Sequence, residues 1–315
     1  MINFNQLKVF FYAAKYQSFT LASTKLHITQ PAVTAQVKLL EEYCGFKLFK
    51  KRGRRVHLTD EGKTLLDYAA KAFQYEKEIE SVIEDMRELK RGMLRLGTTK
   101  TYARYFMPFM MARFHESFPQ IRICLDEGSS LEMALSLLDL RNEVAIIAKV
   151  EDHPEVCFVP FSQEELVLIL SPSHPLTQEK AISMNDLRSE PVIMKETGSG
   201  TRKMVNELFH RHGVTPNILM ETSNTEFIKQ LVQRGDGVSF VVREAVVSEI
   251  EEGKIVTLPV SGEKLFLDVS IAYLKNQPLS PPAQALLNLL SKIAPKEKLD
   301  QGIRAIMSDV LTRWK

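Results

Sequence analysis

The residues of this 315-residue chain best suited to chemistry are cations near its start. Residues 47–58 read KLFKKRGRRVHL, where Lys50, Lys51, Arg52, Arg54 and Arg55 crowd around Gly53. Charges packed so closely repel one another, and contact with phosphates relieves that repulsion. Residues 1–58 hold ten Lys/Arg against Glu41 and Glu42, a net +8; the whole chain carries +2, so the remainder is −6. A basic block on an otherwise mildly acidic chain is the footprint of nucleic-acid binding. Charge alone fits a solvated basic surface equally well, so pattern has to decide. A second group lies further along. Thr98–Thr101, Gly128–Ser130 and Gly198–Arg202 are hydroxyl-bearing segments that each open a predicted helix, and Lys149 follows a predicted strand.

Elements able to position the first group are readable. Leu7, Phe10, Phe11 and Ala14 share one helical face in 5–16. Ser18 or Thr20 caps a short second helix to Leu26, with Leu21, Ala22 and Leu26 inward. Thr29 caps a third, with Pro31 in its first turn and Gly45 past its end. Val33, Val37 and Leu40 face its core, whereas Gln30, Thr34, Ala35 and Lys38 face outward. Two helices joined by a tight turn, the second exposing short polar residues, make a helix-turn-helix that can enter a major groove. Gln30 can pair there with adenine. The cationic segment follows as a two-stranded wing. Helical corners are common in enzymes; one followed by a cationic wing is far rarer.

The stretch AAKYQSFTLASTKLHITQPAVTAQVKLLEEYCGFKLFKKRGRRVHLTDEG resembles the signature of the LysR-type transcriptional regulators. The match lies in SFT-x-AS, TQPAVT-x-Q and the following LE, LF before the wing, and LT-x-x-G after it. By that resemblance Gln30, Pro31, Thr34 and Ala35 approach bases, and Gln36, Lys38, Arg52, Arg54 and Arg55 hold phosphates or the minor groove. Ala35 stands where relatives often carry Arg, so a direct guanine contact from that position is lost.

Thr59 caps a further helix expected to run to about Arg91. Leu65, Tyr68, Ala72, Tyr75, Ile79, Val82, Met86 and Leu89 alternate by three and four, a coiled-coil seam that calls for a second copy. Two heads paired this way read a dyad-symmetric site in double-stranded DNA.

From Met93 apolar runs alternate with helical stretches, which implies open α/β sheets. The fold class is therefore α+β multidomain. Residues 1–58 form the winged helix-turn-helix, 59–91 the dimerisation helix, and 92–295 a pair of Rossmann-like subdomains, 93–164 with 266–295 and 165–265. This crossover resembles the family's effector domain, which is similar to periplasmic binding proteins. A ligand in that architecture sits between subdomains at helix N-termini, where free N–H groups favour anions. The expected contacts are Thr99, Lys100, Thr101, Ser129, Ser130, Lys149, Thr201, Arg202 and Ser239, with Val241 beside Ser239 on the far wall. The cations among them point to an anionic metabolite: a carboxylate, a phosphorylated intermediate or an inorganic oxyanion. GSGTR at 198–202 looks like the branch of the family controlling carbon-fixation and sulfur-assimilation genes. The resemblance also implies a homotetramer whose effector alters DNA bending, with RNA polymerase a further candidate partner. Residues 296–315 add an amphipathic helix beyond the family's usual end, with Leu299, Ile303, Ile306, Val310 and Trp314 on one face.

Other chemistries lack a signal. The seven histidines include no HxxxH or HExxH spacing, and the three cysteines give no disulfide framework or zinc signature. No nucleophile elbow, P-loop or dinucleotide fingerprint appears, so neither enzyme activity nor a cofactor is expected. No apolar run spans a bilayer and the start lacks a signal-peptide pattern, so a cytoplasmic protein is expected. Two alternatives stay open: a soluble receptor or enzyme on a binding-protein fold, and a constitutive DNA-binding regulator without effector.

Overall fold

The computed structural model describes residues 1–52, 55–260 and 264–293, with only the backbone described at 51, 52 and 55. Arg54 and the amphipathic stretch 296–315 lie outside the described residues. The chain divides into two compact units, Met1–Asp85 and the residues from Met86 on.

The first unit starts with α1 (Phe4–Tyr16), α2 (Phe19–Leu26) and α3 (Gln30–Cys44). Each has a side-chain cap: Asn3 accepts from the N–H groups of Asn5 and Gln6, Ser18 from Leu21, and Thr29 from Ala32. Phe10, Val33, Val37 and Leu40 are buried among these helices. Leu21 is exposed, and Ala22 and Ser23 are buried in its place. The wing is β1 (Phe49–Arg52) paired antiparallel with β2 (Arg55–Leu58), so Lys50 stands opposite His57 and Arg52 opposite Arg55.

Glu41 fixes the wing to α3. Its carboxylate accepts from the Leu48 N–H at 2.9 Å, the Phe49 N–H at 3.2 Å and Lys47 Nζ at 2.7 Å. Burial would raise this carboxyl, but those three donors outweigh it and hold it below the usual carboxylate range. Thr59 then caps α4 (Asp60–Arg87) through the Gly62 N–H at 2.9 Å. A Cβ on Gly62 would lie 2.2 Å from the Leu48 carbonyl oxygen, so only glycine lets α4 start this close to the wing. The helix ends at Arg87 rather than near Arg91, where Leu89 turns into the left-handed region at φ 58°.

In the second unit β3 (Gly92–Thr99) pairs in parallel with β4 (Ile121–Gly128) and with β5 (Val144–Ala148). The helical stretch after β3 is split into α5 (Lys100–Tyr105) and α6 (Met107–Ser117), because Pro108 favours a fresh helix start. α7 (Ser130–Leu138) follows β4. β6 (Val156–Leu170) and β11 (Leu265–Leu274) pair antiparallel along ten positions and carry the chain out of this first lobe and back. The second lobe holds β7 (Pro191–Lys195), α8 (Gly200–Arg211), β8 (Asn217–Thr222), α9 (Thr225–Arg234), β9 (Ser239–Val242), α10 (Val247–Glu251) and β10 (Val256–Leu258). α11 (Pro281–Ile293) returns to the first lobe and packs on β3.

Glu41 generates a prediction. Glu41→Gln removes a buried charge that accepts three hydrogen bonds, at a cost of about 1.5–3 kcal/mol. Amide exchange at Leu48 and Phe49 should therefore accelerate at neutral pH. Because the folded carboxyl is depressed, its contribution is present above the unfolded value and lost as pH falls through the folded one. The gap between variant and wild type should close in acid; equal exchange at neutral pH would remove the role assigned to Glu41.

Candidate functional site

The DNA-facing candidates lie on α3. Gln30, Pro31, Thr34, Ala35 and Lys38 are exposed and Gln36 is half-buried. Gln30 Nε2 donates to Thr34 Oγ1 at 3.0 Å, and Thr34 Oγ1 donates to the Gln30 carbonyl at 3.2 Å. One turn of helix thus holds the amide in a fixed pose at the N-terminal end of the exposed face. Lys38 sits 3.6 Å from Glu42, a loose exposed pair that phosphate can replace.

The second candidate site is the cleft between the lobes of the second unit. Thr99, Lys100, Thr101, Ser129, Ser130 and Thr201 line it together with Lys195, Glu196 and Ser199. Thr99 caps α5 through the Tyr102 N–H at 3.3 Å. Ser129 and Glu132 form a capping box on α7, and the Leu131 N–H of that helix donates across the cleft to the Gly198 carbonyl at 3.1 Å. Ser199 heads α8 without a side-chain hydrogen bond to that helix. A Cβ on Gly200 would meet the Ala148 Cβ at 2.3 Å, so glycine is what permits the lobes to touch here.

Two lysines from opposite lobes converge on one serine. Lys100 Nζ donates to Ser223 Oγ at 2.8 Å, and Lys195 Nζ donates to the Ser223 carbonyl at 2.7 Å and to Thr225 Oγ1 at 3.2 Å. Lys195 is 7% exposed, and its nearest carboxylate oxygen, Glu196 Oε2, stands 3.7 Å away. Burial pulls its ammonium below the usual lysine range, and Lys100 adds to that pull while Glu196 opposes it. Glu196 Oε2 is itself buried without a hydrogen bond. Beyond the lysines, Tyr105 donates to Glu226, and Lys229 Nζ donates to Tyr105 Oη at 3.1 Å and to Glu249 at 2.7 Å. Burial alone would lower Lys229, but Glu249, Glu226 and Tyr105 hold it above its ordinary value. The cleft between the helix starts leaves about 30 Å³ of free space.

Three expected contacts lie elsewhere. Ser239 is buried with its Oγ donating to the Ile193 carbonyl at 2.6 Å; side chains alternate along β9, so Val242 lines the cleft while Ser239 and Val241 do not. Arg202 folds back, donating to the Lys195 carbonyl at 2.9 Å and to Glu221 at 2.7 Å. Lys149 turns to Asp152 at 2.5 Å and lines a different cavity. Lys195 and Ser223 were not expected. Lys195 is the last residue of β7 and Lys149 directly follows β5, so attention to strand ends rather than to the glycine-rich loop finds it.

Among the described residues no group of metal-ligating side chains comes together, and no helix is long and apolar enough to cross a membrane.

A winged helix-turn-helix joined to a two-lobed ligand-binding domain defines a class of transcription regulator, and both parts match known families. Residues 4–63 match the bacterial regulatory helix-turn-helix protein, lysR family, and residues 87–294 match the LysR substrate binding domain. The chain belongs to the LysR family of DNA-binding transcriptional regulators with an effector-binding domain. It is 35% identical over 286 residues to the HTH-type transcriptional activator CmpR of Synechocystis sp., covering 91% of this chain and 94% of that protein. It is 34% identical over 285 residues to the RuBisCO operon transcriptional regulator of Allochromatium vinosum, covering 90% and 94%. Among solved structures it is similar to the CcmR regulatory domain of Synechocystis PCC6803 in complex with 2-PG. That likeness has a TM-score of 0.61 at 28% identity and covers 65% of this chain and 98% of that one.

The Gly200 contact gives a direct test. Gly200→Ala overpacks a rigid contact and should cost about 1–3 kcal/mol. The thermal midpoint of the full chain should fall; an unchanged midpoint would mean that α8 and β5 separate freely.

Proposed function

We propose that the effector of this regulator is a small anion held between the lobes, and that the protein reads dyad-symmetric DNA as a homo-oligomer. The observation that carries the first part is the meeting of Lys100 and Lys195 on Ser223. Lys195 is buried and Lys100 is exposed beside it, and the nearest acceptors of both are neutral oxygens. A buried cation without a hydrogen-bonded carboxylate is costly, and an anion between the two lysines offsets that cost. Thr101, Ser130 and Thr201 supply hydroxyls around the same space. The likeness to the CcmR domain solved with 2-PG supports a small anion, and relatives named for the RuBisCO operon support carbon-fixation genes as targets. The second part rests on α4, where Tyr68, Tyr75, Ile79 and Met86 are exposed along the expected seam. Pairing with another copy buries them, and two such dimers give the tetramer that family resemblance implies. Gln30, Pro31, Thr34 and Ala35 then face bases while Gln36, Lys38 and the wing arginines hold phosphates. The small free volume of the cleft favours one other reading, a constitutive regulator that takes no effector.

Calorimetry of the full chain against inorganic phosphate, glycolate and short phosphorylated acids separates the two. At least one anion should bind, and Lys195→Met should weaken it about tenfold or more. Binding of an anion raises the lowered Lys195 value, so complex formation takes up protons and affinity falls as pH rises through the alkaline range. Runs in two buffers of different ionisation enthalpy report that uptake. Heat from none of these anions would overturn the anion reading and leave the constitutive one.

For the DNA surface, fragmented genomic DNA passed over the protein supplies its binding sites. Gln30→Ala should cost about 1–3 kcal/mol on such a site and little on unrelated duplex. Equal losses on both would reduce Gln30 to a general contact.

A further inference from the structure

A second cavity, open to solvent, lies beside the cleft with about 800 Å³ of free space, within the size range of small-molecule sites. Both lobes wall it. Lys149 and Phe158 come from the first, Lys203 and Met204 from one face of α8, and Asp268 from β11. Ala148, Gly200, Leu267 and Val269 line this cavity and the cleft alike. The partition is therefore one layer of residues thick, and at Gly200 it is backbone alone. The floor is irregular: Val269 pairs with Ser162 and Ser270 with Pro160, which leaves Phe161 as the extra residue of a bulge. Bulges re-aim side chains and recur beside binding sites.

The lining carries two cations, Lys149 and Lys203, and two acids, Glu207 and Asp268. Lys149 Nζ stands 5.7 Å above the centre of the Phe158 ring. Its carboxylate partner, Asp152, is 88% exposed and so is easily displaced. Lys203 Nζ donates to the Val150 carbonyl at 2.7 Å. A hydrogen bond from Lys149, then the charges of Lys149, Lys203 and Lys275, hold Asp152 below the usual carboxylate range. Asp152 pairs with Lys149 beside the cavity rather than in its lining, whose apolar part is Phe158, Pro160, Met204 and Leu267. On β11, Asp268 accepts from Gln163 Nε2 at 2.7 Å and offers further acceptor capacity.

We propose that this cavity is a second ligand site, for an organic anion built on a flat ring. The ring lies against Phe158 and Met204, and the anionic group takes the place of Asp152 between Lys149 and Lys203. Aromatic carboxylates and nucleotides share that chemistry. The shared wall makes the second site a neighbour of the cleft, and any coupling between their occupants is reciprocal.

Salicylate and adenosine monophosphate, titrated calorimetrically into the full chain at fixed salt, test the proposal and separate its two sources. At least one should bind. Lys203→Met and Phe158→Leu should each weaken it about tenfold, and Thr101→Val, on the cleft side, should leave it unchanged. Lys149→Gln, at a half-exposed position, serves where a thermal melt shows either groove variant unfolded. Binding of neither probe overturns the proposal, as does binding that ignores the groove substitutions. Loss on Thr101→Val alone assigns the probe to the cleft, which overturns the second site while leaving the effector reading intact.

Discussion

The second unit depends on one pairing, that of β6 with β11. These strands cross from the first lobe to the second as an antiparallel ribbon, and everything that faces the cleft is placed by elements anchored to it. β5 pairs with the far half of β11, and β9 and β10 flank the other half of β6. The lobes are therefore extensions of one sheet rather than separate bodies on a flexible linker. Motion between them has to be accommodated by twist in two paired strands, and their bulge at Phe161 is the place where the hydrogen-bond ladder is already interrupted. Ser162 and Glu164, next to that bulge, are buried and bonded to Tyr102 of α5, at 2.8 Å and 2.7 Å, so the ribbon also grips the helix that carries Lys100 and Thr101.

How much of this was legible in the sequence follows from how local each signal is. The helix-turn-helix was, because caps, core positions and exposed positions all fall within 45 residues and each is a rule about neighbours. The strands β3, β4, β5 and β7 were, since each is a short apolar run next to turn residues. The first half of β6 was not. CFVPFSQEE contains a proline, two acids and little alternation, and it becomes a strand only because β11 is there to pair with it. Glu164 is buried at 1% exposure, a burial that depends on hydroxyls of Tyr102 and Ser162 contributed from 62 and 2 residues away.

The site divides along the same line. Hydroxyls at helix starts were legible because an N-terminus is a local object. The cations were not, because a lysine reaches several ångströms and its direction is set by what surrounds it. Lys149 and Lys195 sit at strand ends and Arg202 in the first turn of α8, yet Lys195 faces the cleft, Arg202 braces the strand behind it and Lys149 leaves for the neighbouring cavity. Ser239 illustrates the other failure: period-two alternation makes a one-residue error in phase a reversal of face.

The closed cleft then has a thermodynamic consequence. A ligand changes a protein's arrangement only through a difference in affinity between two states. With about 30 Å³ free, a metabolite larger than a water molecule does not enter without displacing side chains or separating the lobes. On the anion reading, that requirement supplies the difference. The arrangement seen here binds poorly for want of space, while a more open one offers the same two lysines without the crowding. Opening breaks the bonds of Lys100 to Ser223 and of Tyr105 to Glu226, and an anion on Lys100 and Lys195 replaces part of what is lost. Closure and recognition thus draw on the same side chains, which is how a binding event at Ser223 can be felt along β6 and β11.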